Sequence, residues 1–372
     1  MFRTAAMIMI ISMLAGACSK NNGPEKPEDN TGQTTGPGGN GSGDQGDQPK
    51  PQITANSWMT AIDDDTKIAM LTIPGTHDAA TSTCAGPGKC QTLTISGQLE
   101  HGVRAFDLRP TMDNNSTLGN IYHSILDTGV SMGDAMEYFD SFLKAHPGEG
   151  IIVIMRYESE RQIFGSIAED NYKTAMKNFL WDNRIYQSRM AAFNKSMTMK
   201  DLRGKILIIS RNDLSPVSTF ETAYTQWSHS NSVGEALQIY GTGGLGRIYV
   251  QDMYSAEKNG NSSEADFLAK KKELVCKLLD ITVPFREYEQ NNWVINYCSG
   301  YAGSSFASDS YAKNAASTNP AALEHIQAHT GKGFTGIVMM DYAGTDTYEV
   351  GGSTFSVSGK SLTEALIMNN FQ

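Results

Sequence analysis

Leu71-Thr72-Ile73-Pro74-Gly75-Thr76-His77-Asp78 joins an apolar run to an imidazole and a carboxylate across a Pro-Gly break. A histidine titrates near neutral pH, and a carboxylate beside it fixes its tautomer and stabilises its cation, so the pair can move a proton. One His-Asp in a loop is an ordinary polar pair. It gains weight here because the same pattern, an apolar run ending in a charged or hydrogen-bonding residue, recurs along the chain.

Eight such runs follow one another: Ile68–Ile73, Val103–Arg109, Leu118–His123, Ile151–Arg156, Ile206–Arg211, Ile248–Met253, Trp293–Cys298 and Gly336–Tyr342. Between them, Ser131–Lys144, Glu264–Leu279 and Pro320–Thr330 carry apolar residues at helical spacing. Strands alternating with helices predict an α/β fold, an irregular (β/α)8 TIM barrel forming a single catalytic domain over 54–372. The link from the second run to the third is too short for a full helix, hence the irregularity. Side chains two apart share a face of a strand, so Asp107 projects with Arg109, Ile154 with Arg156, Ile209 with Arg211, Asp252 with Tyr254 and Met339 with Asp341. At the C-terminal ends of barrel strands, His77, Asp78, Asp107, Arg109, His123, Arg156, Arg211, Asp252 and Asp341 would converge on one pocket. The bland alternative is that these residues cap strand ends and pair with one another.

The rest of the chain sets bounds. Of 372 residues 40% are apolar, enough for a large core, and the net charge of −10 without a basic cluster argues against nucleic acid as partner. Residues 1–18 read as an export signal of the lipoprotein type: Arg3, an apolar run Ala5–Leu14 too short to span a bilayer, then Ala15-Gly16-Ala17 before Cys18, the expected site of lipidation. Residues 19–53 are polar and almost free of apolar side chains, a flexible linker. Together they place the protein outside the cytoplasm, lipid-anchored in the cell envelope or secreted. Cys84 and Cys90 flank a turn-rich loop and could close a small bridge; Cys276 and Cys298 could pair or remain buried thiols. His325 and His329 have the i, i+4 spacing of a metal pair, but no third ligand is evident in the sequence and they read as a solvated helix face. The polar run Trp227–Ser232 reads as a lid, its tryptophan either touching lipid or buried.

Two histidines with arginines between them suit phosphodiester cleavage by general base and acid, the guanidiniums holding the phosphate and stabilising charge on it. That scheme requires neither metal nor cofactor. A metal-dependent version would want a carboxylate where Arg109 stands, two residues beyond Asp107.

Ile73-Pro-Gly-Thr-His-Asp78, Gly102-Val-Arg-Ala-Phe-Asp-Leu-Arg109, His123, Gly204-Lys-Ile-Leu-Ile-Ile-Ser-Arg211, Val250-Gln-Asp-Met-Tyr254 and Met340-Asp-Tyr342 resemble, in order, the bacterial phosphatidylinositol-specific phospholipase C family of the X-domain type. The resemblance implies His77 as general base with Asp341 orienting its ring, His123 as general acid assisted by Asp78, and Arg109 stabilising the transition state. It implies that Asp107, Arg156, Arg211 and Asp252 contact substrate and that Tyr254 stacks on the sugar. Arg156 stands where well-known members carry lysine. The implied substrate is phosphatidylinositol, or a GPI-type lipid, at a membrane surface, and the products are diacylglycerol and inositol 1,2-cyclic phosphate, formed by a monomer. Two other readings stay open: a glycerophosphodiester phosphodiesterase, whose His-Arg and Glu-x-Asp patterns differ from those here, and a lipoprotein binding inositides or glycans without catalysis.

Overall fold

A computed structural model describes residues 53–112, 117–158, 169–215, 221–230, 232–255, 263–288, 291–305, 307–331 and 333–372. These residues form one compact unit. The export signal, Cys18 and all but the last residue of the 19–53 linker lie outside the described residues.

Nine strands close a barrel: β1 (Thr72–Thr76), β2 (Ala105–Leu108), β3 (Ile151–Met155), β4 (Ile206–Ser210), β5 (Ala223–Tyr224), β6 (Glu235–Gly241), β7 (Gly244–Gln251), β8 (Asn292–Tyr297) and β9 (Gly336–Met340). Each pairs with its neighbour in sequence, and β1 closes the ring between β9 and β2. All neighbours run parallel except β6, which is antiparallel to both β5 and β7. The four longest helices are α1 (Met132–Ala145), α2 (Glu264–Tyr288), α3 (Ser310–Ala328) and α4 (Gly359–Met368).

The apolar alternation shows why these segments are strands. In β3, Ile152 and Ile154 belong to one buried cluster, while Ile151, Val153 and Met155 belong to another. Likewise Leu207 and Ile209, and Ile337 and Met339, join the first; Ile206 and Ile208, and Val338 and Met340, join the second. The first cluster fills the barrel interior. The second lies outside it, against the buried faces of α1, α3 and α4. Strands buried on both faces must be apolar at every position, and Ile-Ile-Val-Ile-Met and Ile-Leu-Ile-Ile are. Helix α1 begins at a reciprocal cap in which the Ser131 hydroxyl accepts from Asp134 N–H while Asp134 accepts from Ser131 N–H. Its buried residues Met132, Ala135, Met136, Phe139, Phe142 and Leu143 fall at helical spacing.

The barrel departs from the expected eight runs in three places. Leu118–His123 is not a barrel strand; it pairs antiparallel with Pro110–Met112 and Leu126–Ser131 in a separate three-stranded sheet. The described residues between β2 and this segment form no helix, and the chain folds back antiparallel instead of crossing to a parallel position. The ring is completed by β5 and β6, which the sequence does not advertise: β6 reads Glu-Ala-Leu-Gln-Ile-Tyr-Gly and is exposed at alternate positions. The first run is also displaced. Ile68–Met70 is a 3₁₀ turn, and β1 continues through Pro74-Gly75 to Thr76. Gly75 is needed there because a Cβ would lie 2.3 Å from Met339 Sδ and 3.0 Å from Ala105 Cβ, the two flanking strands. Finally, α3 begins ten residues before the expected helix start at Pro320, which it carries internally.

Candidate active site

The barrel interior continues the alternation of each strand into the site. After Ile152 and Ile154 comes Arg156; after Leu207 and Ile209, Arg211; after Ile248 and Val250, Asp252; after Ile337 and Met339, Asp341. The C-terminal ends of the strands thereby deliver Arg156, Arg211 and Asp252 to one cavity of about 270 Å³, whereas Asp341, expected in the same pocket, is fully buried behind His77 and does not line it. His77, Asp78, Arg109, His123, Arg156, Arg211, Asp252 and Tyr254 all line it. A larger cavity of about 450 Å³ lies beside Thr72, where β1 begins, and brings no such set together.

His77 stands between two carboxylates. Its Nδ1 is 2.9 Å from Asp341 Oδ1 and its Nε2 3.1 Å from Asp78 Oδ2. A carboxylate can only accept, so each ring nitrogen presents a hydrogen to its carboxylate, and His77 becomes a base when Nε2, the nitrogen on the Asp78 side, gives its proton up. Burial works to lower the pKa of His77, but Asp78 and Asp341 outweigh it and raise it from 6.5 to about 9. Burial works to raise Asp78, yet Arg109, His77 and His123 lower it to about 2. Burial raises Asp341, against the pull of His77.

His123 approaches the same oxygen: its Nε2 is 3.4 Å from Asp78 Oδ2. Its Nδ1 is 3.0 Å from the Gly88 carbonyl, which can only accept, so Nδ1 is protonated and Nε2 faces the cavity. Arg109 holds the remaining oxygen of Asp78, Nε to Oδ1 at 3.1 Å, and donates through Nη2 to Asp107 Oδ2 at 3.0 Å. Burial opposes its charge, but Asp107, Asp78 and Glu158 raise its pKa well above the ordinary value. Asp107, expected among the substrate contacts, is fully buried behind Arg109 and does not line the cavity.

On the opposite side, the Arg211 guanidinium lies 4.0 Å over the Trp227 ring and donates to the Trp227 carbonyl at 3.1 Å. Trp227 Nε1 donates to Asp252 Oδ2 at 2.9 Å. Trp227 is therefore half-buried framework for Arg211 and Asp252, which decides between the two readings of its segment. Burial, Arg211 and Arg109 together lower the pKa of Arg156.

Sequence reasoning missed Glu158 and Tyr311. Glu158 shares the face of Arg156 one alternation further and lines the cavity; extending that strand by two residues finds it. Burial raises its pKa against Arg109 and Arg156. Tyr311, at the start of α3, places its hydroxyl 3.0 Å from His123 Nε2, and no motif marks it. The backbone beneath is pinned by Gln91, which donates from Nε2 to the His77 and Met340 carbonyls at 2.9 Å each.

His77, Asp78 and Cys90 each offer a donor atom within 4.8 Å of the others. Burial, Asp341 and Asp78 push the Cys90 thiol well above its ordinary pKa, and Arg109 already occupies the other face of Asp78, so this trio is a poor cation site. Cys84, Cys90, Cys276 and Cys298 are all free thiols here, without the bridges their positions allowed.

Residues 73–212 match the family model of phosphatidylinositol-specific phospholipase C, X domain. A 1-phosphatidylinositol phosphodiesterase of Listeria monocytogenes is 36% identical over 171 residues, 44% of this chain and 51% of that protein. The chain thus spans about half the length of the Listeria relative. One of Staphylococcus aureus is 25% identical over 299 residues, 77% of this chain and 88% of the relative. Among solved structures, a single-site mutant of the Staphylococcus aureus phosphatidylinositol-specific phospholipase C superposes with a TM-score of 0.66 at 24% identity, covering 86% of this chain and 97% of that one. The Listeria monocytogenes enzyme gives 0.60 at 23%, covering 86% and 100%. The irregular barrel and the family resemblance read from the sequence both hold.

Proposed function

We propose that this chain, whose residues 73–212 match a phosphatidylinositol-specific phospholipase C X domain, cleaves phosphatidylinositol to diacylglycerol and inositol 1,2-cyclic phosphate. One observation carries the reading: His77 Nε2 and His123 Nε2 both lie near the same Asp78 oxygen, at 3.1 and 3.4 Å, with Arg109 on the other oxygen. Two proton carriers and a guanidinium then surround one position at the cavity, the arrangement an internal phosphoryl transfer needs.

Neutral His77 takes the proton of the inositol 2-hydroxyl at Nε2, and Asp341 stabilises the imidazolium. The 2-oxygen bonds to phosphorus as the bond to the diacylglycerol oxygen breaks. His123, protonated at Nε2, gives that proton to the departing oxygen. Asp78, ionised, sits between the two rings and stabilises each cation as it forms. Arg109, fixed by Asp78 and Asp107, meets the charge growing on the phosphoryl oxygens, and such fixed donors commonly contribute about 10²–10³-fold. Arg156, Arg211, Asp252 and Glu158 supply donors and acceptors for inositol hydroxyls, and Tyr254 an aromatic face.

In this reading Arg109 serves where a divalent cation would otherwise neutralise phosphate charge, so cleavage needs no metal. The cavity is lined on its outer side by the half-buried Tyr254 and Tyr301, and a glycosylated headgroup of the GPI type falls within the same substrate class. An export signal, lipidation at Cys18 and the 19–53 linker suit an enzyme, acting as a monomer, whose substrate is confined to a membrane.

The test is ³¹P NMR of the full chain with phosphatidylinositol micelles in excess chelator. The cyclic phosphate resonance is expected, and His77→Ala should keep less than about a tenth of the rate, since a general base contributes about 10²–10⁴-fold. A signal that needs added calcium would remove the metal-free reading. No signal under either condition would remove the activity.

A further inference from the structure

We propose that Asp280, His325 and His329 form a binding site for one divalent transition-metal ion, best matched to Zn²⁺, which ties α2 to α3. The sequence offers only the two histidines. The fold brings Asp280 across from the neighbouring helix, so that one donor atom from each residue lies within 4.8 Å of the others. The site flanks Gly333–Thr335, the segment entering β9, whereas the catalytic cavity lies beyond the other end of that strand.

Three features point to a metal. First, Asp280 Oδ1 and His325 Nε2 are 3.4 Å apart, and two ligands at bond lengths of about 2.1 Å around a tetrahedral ion stand about 3.4 Å from each other. Second, His329 Nδ1 is 2.8 Å from the His325 carbonyl. A carbonyl cannot donate, so Nδ1 holds the hydrogen and Nε2 keeps its lone pair, the orientation that ligating histidines take from a backbone acceptor. Third, His325 Nε2 is buried without a hydrogen-bond partner, so a metal bound there displaces no hydrogen bond; the two rings, stacked with centroids 4.3 Å apart at 26°, turn apart to converge on the ion. Asp280 is exposed and free to swing the remaining distance, and a water completes four-coordination. The competing account is a plain Asp280–His325 ion pair with no affinity for metal.

The test is Zn²⁺ titration of the chelator-stripped full chain by calorimetry, repeated with His329→Ala and Asp280→Asn. One equivalent should bind, weakened at least about tenfold in either variant. At a hundredfold excess over Kd, Zn²⁺ should raise the Tm of the wild type by about 4 °C. Asp280→Asn alters an exposed side chain, so it stays informative if His329→Ala misfolds. Phosphatidylinositol cleavage should be unchanged in both. Co²⁺ should give only weak visible bands, without the intense thiolate charge-transfer absorption that binding at Cys90 would produce. A wild type with no site tighter than about 100 µM, equal affinity in the variants, or a thiolate band would overturn the proposal.

Discussion

Asp341→Asn isolates what the carboxylate behind His77 contributes. The substitution keeps the shape of a fully buried side chain, so the fold should persist, and asparagine can still accept from Nδ1–H. What disappears is the negative charge 2.9 Å from the ring. The rise of His77 from 6.5 to about 9 corresponds to about 3 kcal/mol. Asp78 and Asp341 lie at nearly equal distances, 3.1 and 2.9 Å, and together they also overcome burial. Each therefore supplies at least half, and losing Asp341 should lower the His77 pKa by more than about one unit. The base works neutral, so the acidic limb of kcat/KM should move to lower pH by that amount. The plateau should still fall by about 10²–10⁴-fold, because the imidazolium formed after proton transfer has lost its counter-charge. Initial rates of cyclic phosphate formation between pH 5 and 10 would measure both. An unmoved limb, or a plateau within threefold of the wild type, would refute the assignment of His77 as base and Asp341 as its partner.

Three further outcomes are expected. His77, with its pKa raised, adds stability that is complete below about pH 6.5 and is lost as pH rises through about 9; Asp78, lowered, adds stability present above about 3.8 and lost as pH falls to about 2. Calorimetric Tm should therefore be flat between those limits and fall by a few degrees toward pH 9, and His77→Ala should flatten that alkaline fall. Tyr311→Phe removes the hydroxyl 3.0 Å from His123 Nε2; kcat should fall about three- to tenfold with KM little changed, the worth of one hydrogen bond, by steady-state kinetics. In Gly359→Ala, the new Cβ would lie 2.0 Å from the Tyr342 carbonyl oxygen. The backbone must shift, and urea unfolding should show a loss of about 1–3 kcal/mol or more.

The legible part of the molecule is the part built on short-range rules. Strands buried on both faces are mostly apolar, and the two-residue alternation leads from Ile152 and Ile154 onward to Arg156, or from Ile337 and Met339 to Asp341, without knowledge of the fold. The resemblance supplied His77, Asp78 and Arg109 in the same way. The illegible part depends on partners distant in sequence. His123 lies at the cavity but on an element outside the barrel: Leu118–His123 ends in a polar residue as the barrel strands do, yet it pairs with Pro110–Met112 and Leu126–Ser131 and is buried only in part. Strand β6 is half-exposed and antiparallel, so nothing in its composition announces a place in a parallel barrel. Tyr311 and Asp280 acquire meaning only through side chains 188 and 45 residues away, His123 and His325.

The backbone at the strand ends explains why the site is where it is. Among the described residues four non-glycines have positive φ, and three directly follow groups proposed to act in catalysis: Asp78 at 44°, after His77; Ser124 at 56°, after His123; and Tyr342 at 59°, after Asp341. Each costs about 1 kcal/mol or more relative to an ordinary conformation. A left-handed residue turns the chain sharply out of the extended path at these points, so that Asp78 and Ser124 line the cavity beside His77 and His123 while Asp341 stays buried behind His77. The surrounding hydrogen bonds hold these turns in place: Gln91 donates to the His77 and Met340 carbonyls, Tyr342 N–H donates to the Cys90 carbonyl at 2.9 Å, and Asn319 Nδ2 donates to the Asp341 carbonyl at 3.0 Å. A sequence search for such turns looks for glycine, and none is present at these three positions. At one of the three the strained residue also has a charged role: a glycine at position 78 would relieve the strain but remove the carboxylate that both imidazoles approach. A Gln91→Leu variant removes the bonds between the ends of β1 and β9 without touching a catalytic atom. Its kcat should drop with KM nearly unchanged, since Arg156, Arg211 and Asp252, proposed to hold inositol hydroxyls just past the ends of β3, β4 and β7, stay where they are. An equal loss in both parameters would mean that Gln91 supports the whole cavity instead of the two turns.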